Sequence, residues 1–221
     1  MMDIHTYSSR LRGRRWLSGN AFEIEISKPA SFTFIPGQCI RFMYKGLERD
    51  YTMVSTPADQ TLALCIRDVP AGRFTSFLVS AETGTLLSFT GPHGYFTYRP
   101  SDLPSIFIAT GTGIAPFVSM SRSGISGFTV LHGVREPGNL YYKEVFRHRA
   151  VLYVPCITAY QTDPHLQSDF FNGRVTGYLE HYLPRRPYDF YLCGQAEMIR
   201  DVMLLVDDLF PESRVYSESF F

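Results

Sequence analysis

The sequence holds little with which to staple or metallate itself. Its four cysteines, Cys39, Cys65, Cys156 and Cys193, are scattered and include no C-x-x-C pair. Zinc sites and iron–sulfur clusters need several ligands at short spacing, so neither is expected. Scattered thiols suit a reducing compartment, and the expected location is the cytoplasm. Charge of one sign is also lacking: 21 Lys and Arg balance 21 Asp and Glu, leaving a formal net charge of zero. Without a basic field, nucleic acid is not an expected partner. No apolar run reaches the roughly 20 residues of a membrane-spanning helix. Residues Met1 to Arg15 carry no apolar core of a secretory leader, and no membrane span is expected. Repeats and low-complexity tracts are missing as well.

What is present is aromatic. Phe, Tyr and Trp make up 15% of the 221 residues, and such residues favour strands and stack on flat ligands. The length suits two domains of about 100 residues each.

The first half has the period of β-structure. Ala21–Ser27 alternates apolar and polar side chains, and Cys39–Tyr44, Tyr51–Ser55, Thr61–Asp68 and Thr85–Thr90 follow as short runs. Turn formers separate them, among them Pro36-Gly37, Lys45-Gly46, Gly84 and Gly91-Pro92. Short strands this close together predict a small antiparallel barrel, with one helix at Thr75–Ser80. The N-terminal arginines Arg10, Arg12, Arg14 and Arg15 have two readings. They form either a solvated strand end with a turn at Gly13 or a dock for an acidic electron carrier.

After a polar, proline-flanked stretch at Arg99–Leu103 the period changes. Strands are expected at Ser105–Thr110, Phe128–Val134, Val151–Ala159, Tyr188–Cys193 and Arg214–Ser217. Helices are expected from Ile114, over Tyr141–His148, at Val175–Tyr182 and over Ala196–Leu209. Alternation of this kind predicts parallel βαβ units in an α/β doubly wound sheet.

The sharpest local feature is Ala109-Thr110-Gly111-Thr112-Gly113-Ile114-Ala115-Pro116, which leaves a buried strand and opens a helix. Gly111 and Gly113 permit close backbone approach, and the helix start presents free N–H groups to an anion such as a pyrophosphate. A tight strand-to-helix turn with no ligand explains the same residues. The third position is Pro116 rather than the Gly of the dinucleotide fingerprint.

The order of motifs is more specific than any one of them. Arg49-Asp50-Tyr51-Thr52 resembles the R-x-Y-[ST] flavin motif of the ferredoxin-NADP reductase family. Gly72-Arg73-Phe74-Thr75-Ser76-Phe77-Leu78 resembles its G-x-x-[ST]-x-x-L. Gly91–Phe96 is similar to its G-P-x-G-x-F, and Gly111–Pro116 to its G-T-G-I-A-P. His132-Gly133-Val134-Arg135 and Cys193-Gly194 follow in the family's order. The resemblance implies an N-terminal Greek-key β-barrel for FAD over residues 1–100 and a C-terminal α/β domain for NADH or NADPH over 101–221. It implies an oxidoreductase in which NAD(P)H passes a hydride to flavin N5. Electrons then go on to a separate ferredoxin, flavodoxin or oxygenase component. Two alternatives stay open: a reductase of small acceptors such as free flavin or quinone, and a non-catalytic flavin- or nucleotide-binding assembly or sensing subunit.

Residue by residue, the resemblance places Arg49 on the flavin pyrophosphate and Tyr51 against the isoalloxazine ring. Thr52 is placed near N5, and Gly72, Phe74 and Thr75 around the pyrophosphate at a helix start. Gly111, Thr112 and Gly113 are expected at the nicotinamide cofactor's pyrophosphate, and Cys193 and Gly194 beside the nicotinamide. Glu218 is expected as an acid near the flavin, with Phe220 or Phe221 as a covering aromatic. His132 reads as structural. Users of NADPH often carry Ser-Arg where this chain has Ile157-Thr158-Ala159-Tyr160, which favours NADH, although Arg135 and Arg174 offer charge nearby.

Overall fold

The structure is a computed structural model that describes residues 5–159 and 169–220. By its internal contacts the chain forms two compact units. One holds the residues up to Tyr98 with Ala115–Ser123, and the other holds Arg99–Ile114 with the residues from Gly124 onward.

The first unit is built from β1 (Thr6–Ser18), β2 (Ala21–Ser27), β3 (Cys39–Tyr44), β4 (Leu47–Thr52), β5 (Thr61–Arg67) and β6 (Leu86–His93), with helix α1 (Arg73–Ser80) between β5 and β6. The strands run in the order β4-β3-β6-β1-β2-β5, and all their pairings are antiparallel. The two ends of the sheet meet where Met53 bridges Leu64 and the Val54 N–H donates to the Ala63 carbonyl at 2.8 Å. The expected antiparallel barrel is therefore present. Alternation fills it: Phe22, Ile24 and Ile26 of β2 turn inward to meet Ile40, Phe42, Leu64 and Phe89, while Glu25 faces out. Each such side chain contributes roughly 1.5–3 kcal/mol on burial.

Two elements differ from the sequence expectation. Strand β1 is a full 13-residue strand rather than a short end at a Gly13 turn. Its alternation is hidden because its register against β2 slips between Leu11 and Gly13 and again between Trp16 and Ser18. Bulges of this kind break the period of two from which a strand is read. Strand β4 begins at Leu47 and ends at Thr52, where a strand over Tyr51–Ser55 was expected. Its polar start, Glu48-Arg49-Asp50, is held by cross-strand charge. Arg41 donates from Nε to Asp50 Oδ1 at 2.6 Å and from Nη2 to Oδ2 at 2.8 Å.

Three of the N-terminal arginines are engaged within the barrel. Arg10 donates to the Gly84 carbonyl at 3.2 Å, and Arg15 pairs with Glu23 at 2.9 Å. Arg14 donates from Nη1 to the Leu78 carbonyl at 2.7 Å and the Ala81 carbonyl at 3.3 Å. Helix α1 has no basic residue in its own last turn, so this distant arginine caps it. Helix α2 (Ala115–Arg122) completes the unit: Ser119 Oγ donates to the Ser55 carbonyl at 2.7 Å, and Arg122 Nη1 to the Val54 carbonyl at 2.8 Å.

The second unit is a parallel sheet of β7 (Ser105–Thr110), β8 (Thr129–Val134), β9 (Leu152–Ile157), β10 (Phe171–Asn172), β11 (Asp189–Gln195) and β12 (Arg214–Phe220), in the order β10-β9-β8-β7-β11-β12. Short helix α3 (Lys143–Arg147) joins β8 to β9, while α4 (Val175–Tyr182) and α5 (Ala196–Leu209) join β10 to β12 through β11. One face of the sheet, with Ile106, Ile108, Leu131, Phe190 and Leu192, packs under α4 and α5. From β7 the chain winds out through β8 to β10, then returns to the other side of β7. The order therefore reverses at the carboxyl end of β7, where open α/β sheets collect ligands. Fully buried Asp189 anchors the entry segment. It accepts from Arg214 Nε at 2.6 Å and Nη2 at 2.9 Å, and Arg214 also donates to Ser101 Oγ. No helix of the described residues is long and apolar enough to cross a membrane, and no metal-ligating cluster stands among them.

Candidate functional site

On the barrel, the R-D-Y-T residues alternate along β4. Register against β3 puts Arg49 and Tyr51 on the face of Phe42 and Ile40, and Asp50 and Thr52 on the face of Arg41 and Cys39. Arg49 is exposed, with Nη1 donating to the Glu48 carbonyl at 2.7 Å. Tyr51 is half-buried, its ring 6.0 Å from both Phe42 and Phe74. Burial pushes its phenol up to about 12, and nearby Arg49 opposes this, so the hydroxyl keeps its proton. Thr52 is buried at 2% exposure, and its Oγ1 has no hydrogen-bond partner. A buried hydroxyl without a partner costs about 1–3 kcal/mol, so the end of β4 carries a polar group that a ligand would satisfy.

Gly72 stands at the start of α1, where no side chain caps the helix. A Cβ at Gly72 would lie 2.6 Å from Thr75 Oγ1 and 2.9 Å from the Val69 carbonyl oxygen. Thr75 Oγ1 is used locally, within 3.2 Å of both the Val69 and Gly72 carbonyls. Phe74 points into the core at 4% exposure. What this turn offers a ligand is therefore backbone: the first N–H groups of α1, which have no intrahelical acceptor.

On the parallel sheet, register aligns four residues in one row across neighbouring strands: Glu218 of β12, Cys193 of β11, Ala109 of β7 and His132 of β8. All four side chains share the face opposite α4 and α5. The loop after β7 is a 3-10 turn, Gly111–Ile114, that starts with Gly111 at φ +53°. Gly113 is pressed against the end of β11, where an added Cβ would lie 2.4 Å from the Cys193 carbonyl oxygen. A Cβ on Gly194 would lie 2.2 Å from Thr110 Oγ1, which accepts the Gln195 N–H at 2.9 Å. Gly113 thus fits only as glycine against the backbone of β11, and Gly194, at φ +139°, only as glycine against Thr110. Cys193 is fully buried, and burial, with Glu218 beside it, holds its thiol well above the ordinary range. Cys156 is likewise pushed up to about 12 by burial. Neither is a thiolate at neutral pH, so neither is primed as a nucleophile.

His132 is fully buried between two partners: Nε2 lies 3.1 Å from the Gly111 carbonyl and Nδ1 lies 3.2 Å from the Tyr153 hydroxyl. Burial lowers it to about 4, against a smaller opposing effect of the Gly111 bond. It is neutral at pH 7. Beyond it, Thr158 and Arg135 are exposed at adjoining strand ends. The Thr158 N–H donates to the Val134 carbonyl at 3.1 Å and the Ala159 N–H to the Arg135 carbonyl at 2.8 Å. Tyr160 and Phe221 lie outside the described residues.

The structure thus brings the sequence candidates into two clusters. Arg49, Tyr51 and Thr52 lie along β4, with Phe74 of α1 packed against Tyr51. Gly111, Gly113, Cys193, Gly194 and Glu218 gather at the ends of β7, β11 and β12. Sequence reasoning missed Thr110, the tie from His132 to Gly111, and the Arg14 cap. Thr110 had a usable signal, since it directly precedes the glycine loop. The cap spans 64 residues and has none.

Comparison with known proteins matches two families along the chain. Residues 15–98 match the oxidoreductase FAD-binding domain family and residues 107–203 the oxidoreductase NAD-binding domain family. The chain is 29% identical over 195 residues to Protein RfbI of Salmonella typhimurium, a match covering 83% of this chain and 58% of that protein. It is 30% identical over 212 residues to the toluate 1,2-dioxygenase electron transfer component of Pseudomonas putida, covering 89% of this chain and 62% of that one. The chain therefore spans about three fifths of the length of these relatives. Among solved structures, a ferredoxin NADP+ reductase from Neisseria gonorrhoeae with bound FAD and NADP superposes with a TM-score of 0.86 at 20% identity, over 98% of this chain and 99% of that one. With an oxidoreductase FAD-binding domain followed by an oxidoreductase NAD-binding domain, the chain belongs to the oxidoreductases built from these two families, on a ferredoxin reductase-like fold.

Proposed function

We propose that this chain is an FAD-dependent NAD(P)H oxidoreductase that passes a hydride from NAD(P)H to flavin N5 and delivers electrons to a separate carrier. That carrier is a ferredoxin, a flavodoxin or an oxygenase component, in line with the similarity to a toluate 1,2-dioxygenase electron transfer component. Residues 1–100 form the FAD-binding domain and 101–221 the NAD(P)-binding domain. The working place is the cytoplasm, where four free thiols stay reduced.

The observation that carries this reading is the unpartnered Thr52 hydroxyl, buried at the end of the R-D-Y-T strand. Bound FAD supplies an N5 that accepts a hydride and a ring system that gives up electrons one at a time. The protein's residues bind and orient. Arg49 offers a planar fork of donors to a pyrophosphate, and Gly72, Phe74 and Thr75 offer backbone N–H groups at the start of α1. Tyr51 lays an aromatic face beside the ring, and Thr52 donates its hydroxyl near N5. On the sheet, Gly111, Thr112 and Gly113 receive the nicotinamide cofactor's pyrophosphate. Gly194 keeps the strand end low, and Arg135 and Thr158 meet the adenosine side. Cys193 stays a neutral thiol and orients the transferring carbon, with Glu218 beside it and Phe221 as the covering aromatic. NADH is the proposed donor.

Anaerobic absorbance titration with NADH and NADPH in parallel tests the reading. Bleaching of the flavin bands, tighter with NADH, is expected. A yellow protein that neither donor bleaches would move the assignment to a binding or assembly subunit, and failure to take up FAD would overturn it.

Two substitutions separate the roles. Thr52→Val keeps the shape and removes the unmet hydroxyl. The flavin-free protein is expected to melt at an equal or higher temperature, while flavin reduction slows roughly ten- to a hundredfold through loss of a charge-stabilising bond. Stopped-flow reduction and a thermal melt read the two opposite signs; a fall in both would make Thr52 merely structural. Cys193→Ala is expected to slow hydride transfer roughly threefold to tenfold with flavin content unchanged, an effect of positioning. An unaltered rate would return Cys193 to packing.

A further inference from the structure

His132 takes no part in the chemistry above, yet it sits at 0% exposure with both ring nitrogens engaged. A carbonyl oxygen only accepts, so the proton of the neutral ring is on Nε2, which donates to Gly111. Nδ1 is then the acceptor, and the Tyr153 hydroxyl donates to it. The chain of bonds has one direction, from Tyr153 through His132 to the first peptide of the glycine loop.

That peptide is where a small rotation matters. Gly111 is in the left-handed region, where glycine has no side chain to resist alternative conformations. Two residues on, Gly113 is fixed by its contact with the Cys193 carbonyl. The loop is therefore gripped by β11 at Gly113, while His132 of β8 grips its Gly111 end. A trans peptide is planar, with its C=O and N–H pointing in opposite directions. Holding the Gly111 carbonyl toward His132 turns the Thr112 N–H away from His132. An apolar ring in the same space, among neighbours such as Tyr141 and Tyr153, would pack there without making this bond.

We propose that His132 is a positioning residue of the nucleotide site. Its Nε2–H holds the Gly111 carbonyl inward, so that the Thr112 N–H is presented to the pyrophosphate of NAD(P)H. Tyr153 fixes the tautomer that makes this possible. The inference rests on the NAD(P)H reading of that site.

The test is calorimetric titration of NAD+ and, separately, NADP+ into FAD-loaded wild type, H132F, H132Q and H132N, with thermal melts and flavin content alongside. H132F keeps a buried ring and loses the donor. It is expected to bind the preferred nucleotide roughly three- to tenfold more weakly, the loss of one buried hydrogen bond, with flavin content unchanged. Gln carries its amide nitrogen about as far as Nε2, so H132Q is expected to recover most of the affinity. Asn is too short, so H132N is expected to behave like H132F. In the wild type, nitrogen NMR of the His132 ring is expected to show the Nε2–H tautomer. Wild-type affinity in H132F, or equal weakness in H132Q and H132N, overturns the proposal. If H132F does not fold, the Gln and Asn pair decides alone. Wild type that binds neither nucleotide rejects the NAD(P)H reading itself, a result distinct from equal affinities across the series.

Discussion

Gly113→Ala is expected to cripple the nucleotide site while leaving the barrel and its flavin intact. The new Cβ would stand 2.4 Å from the Cys193 carbonyl oxygen, 2.7 Å from its carbon and 2.7 Å from the Gly194 Cα. These are backbone atoms, which cannot rotate aside as a side-chain tip can. Cys193 is paired with Ala109 on one side and Glu218 on the other, so the strand end cannot retreat without breaking the sheet's centre. The loop must move instead, by close to an ångström. Overpacking of this kind costs about 1–3 kcal/mol or more, and displacement of reacting groups on that scale costs about a hundredfold in rate. The expected outcome is a rise of more than tenfold in the donor KM together with a fall in kcat.

Gly111→Ala is the control. A Cβ there meets nothing within 4 Å, so the cost is only the left-handed φ of +53°, about 1–2 kcal/mol. Stopped-flow bleaching against donor concentration, with FAD content measured by absorbance, reads both variants. Equal effects at the two glycines would mean that backbone contact with β11 is not what shapes the loop.

The contrast between these glycines also marks how far the sequence alone could be read. Gly111-Thr112-Gly113 was legible because its chemistry is local: a strand ends, small residues follow and a helix begins. Arg49-Asp50-Tyr51-Thr52 was legible as a motif, but its strand was placed too late. The polar start of β4 is laddered against β3, and Arg41 of that strand pairs with Asp50. Strand β1 was missed for a related reason, since its bulges erase the alternation and its arginines are satisfied by residues far along the chain. The barrel could be anticipated because burial of one face is written every second residue, and the α/β half because short apolar runs, buried on both faces in β7 and β11, alternate with helical periods. Nothing in the sequence near Cys193 or Gly113 says that the two will touch. The contact follows from the sheet order β7-β11, in which residues 84 positions apart, such as Asp189 and Ser105, become partners. His132 precedes a glycine at a strand end, a place that can suggest catalysis, yet reads as structural; its bond to Gly111 becomes visible only with β8 laid beside β7.

That same histidine is expected to make the fold acid-sensitive within a defined window. In the unfolded chain its imidazole takes a proton near its ordinary value of 6.5, whereas burial in the fold lowers it to about 4. Above pH 6.5 neither state is protonated, and the stability associated with the neutral ring is fully present. Between pH 6.5 and about 4 the unfolded state binds a proton that the folded state refuses, so stability falls as pH falls. The slope from one such group is about 1.4 kcal/mol per pH unit, which sums to roughly 3 kcal/mol across the window. Below it both states are protonated and the slope vanishes. Other groups titrate in the same range, so the quantity to measure is a difference: urea unfolding of wild type and H132Q at pH 7, 5.5 and 4.5. Gln does not titrate, so the stability of wild type relative to H132Q should be constant above pH 6.5 and shrink steadily below it. Parallel curves would mean that the buried ring accepts its proton in place. Protonation of the folded ring would put a second N–H on Nδ1, where the Tyr153 hydroxyl now donates. The hydrogen-bond chain to Gly111 would then lose its direction at the point where the nucleotide loop begins.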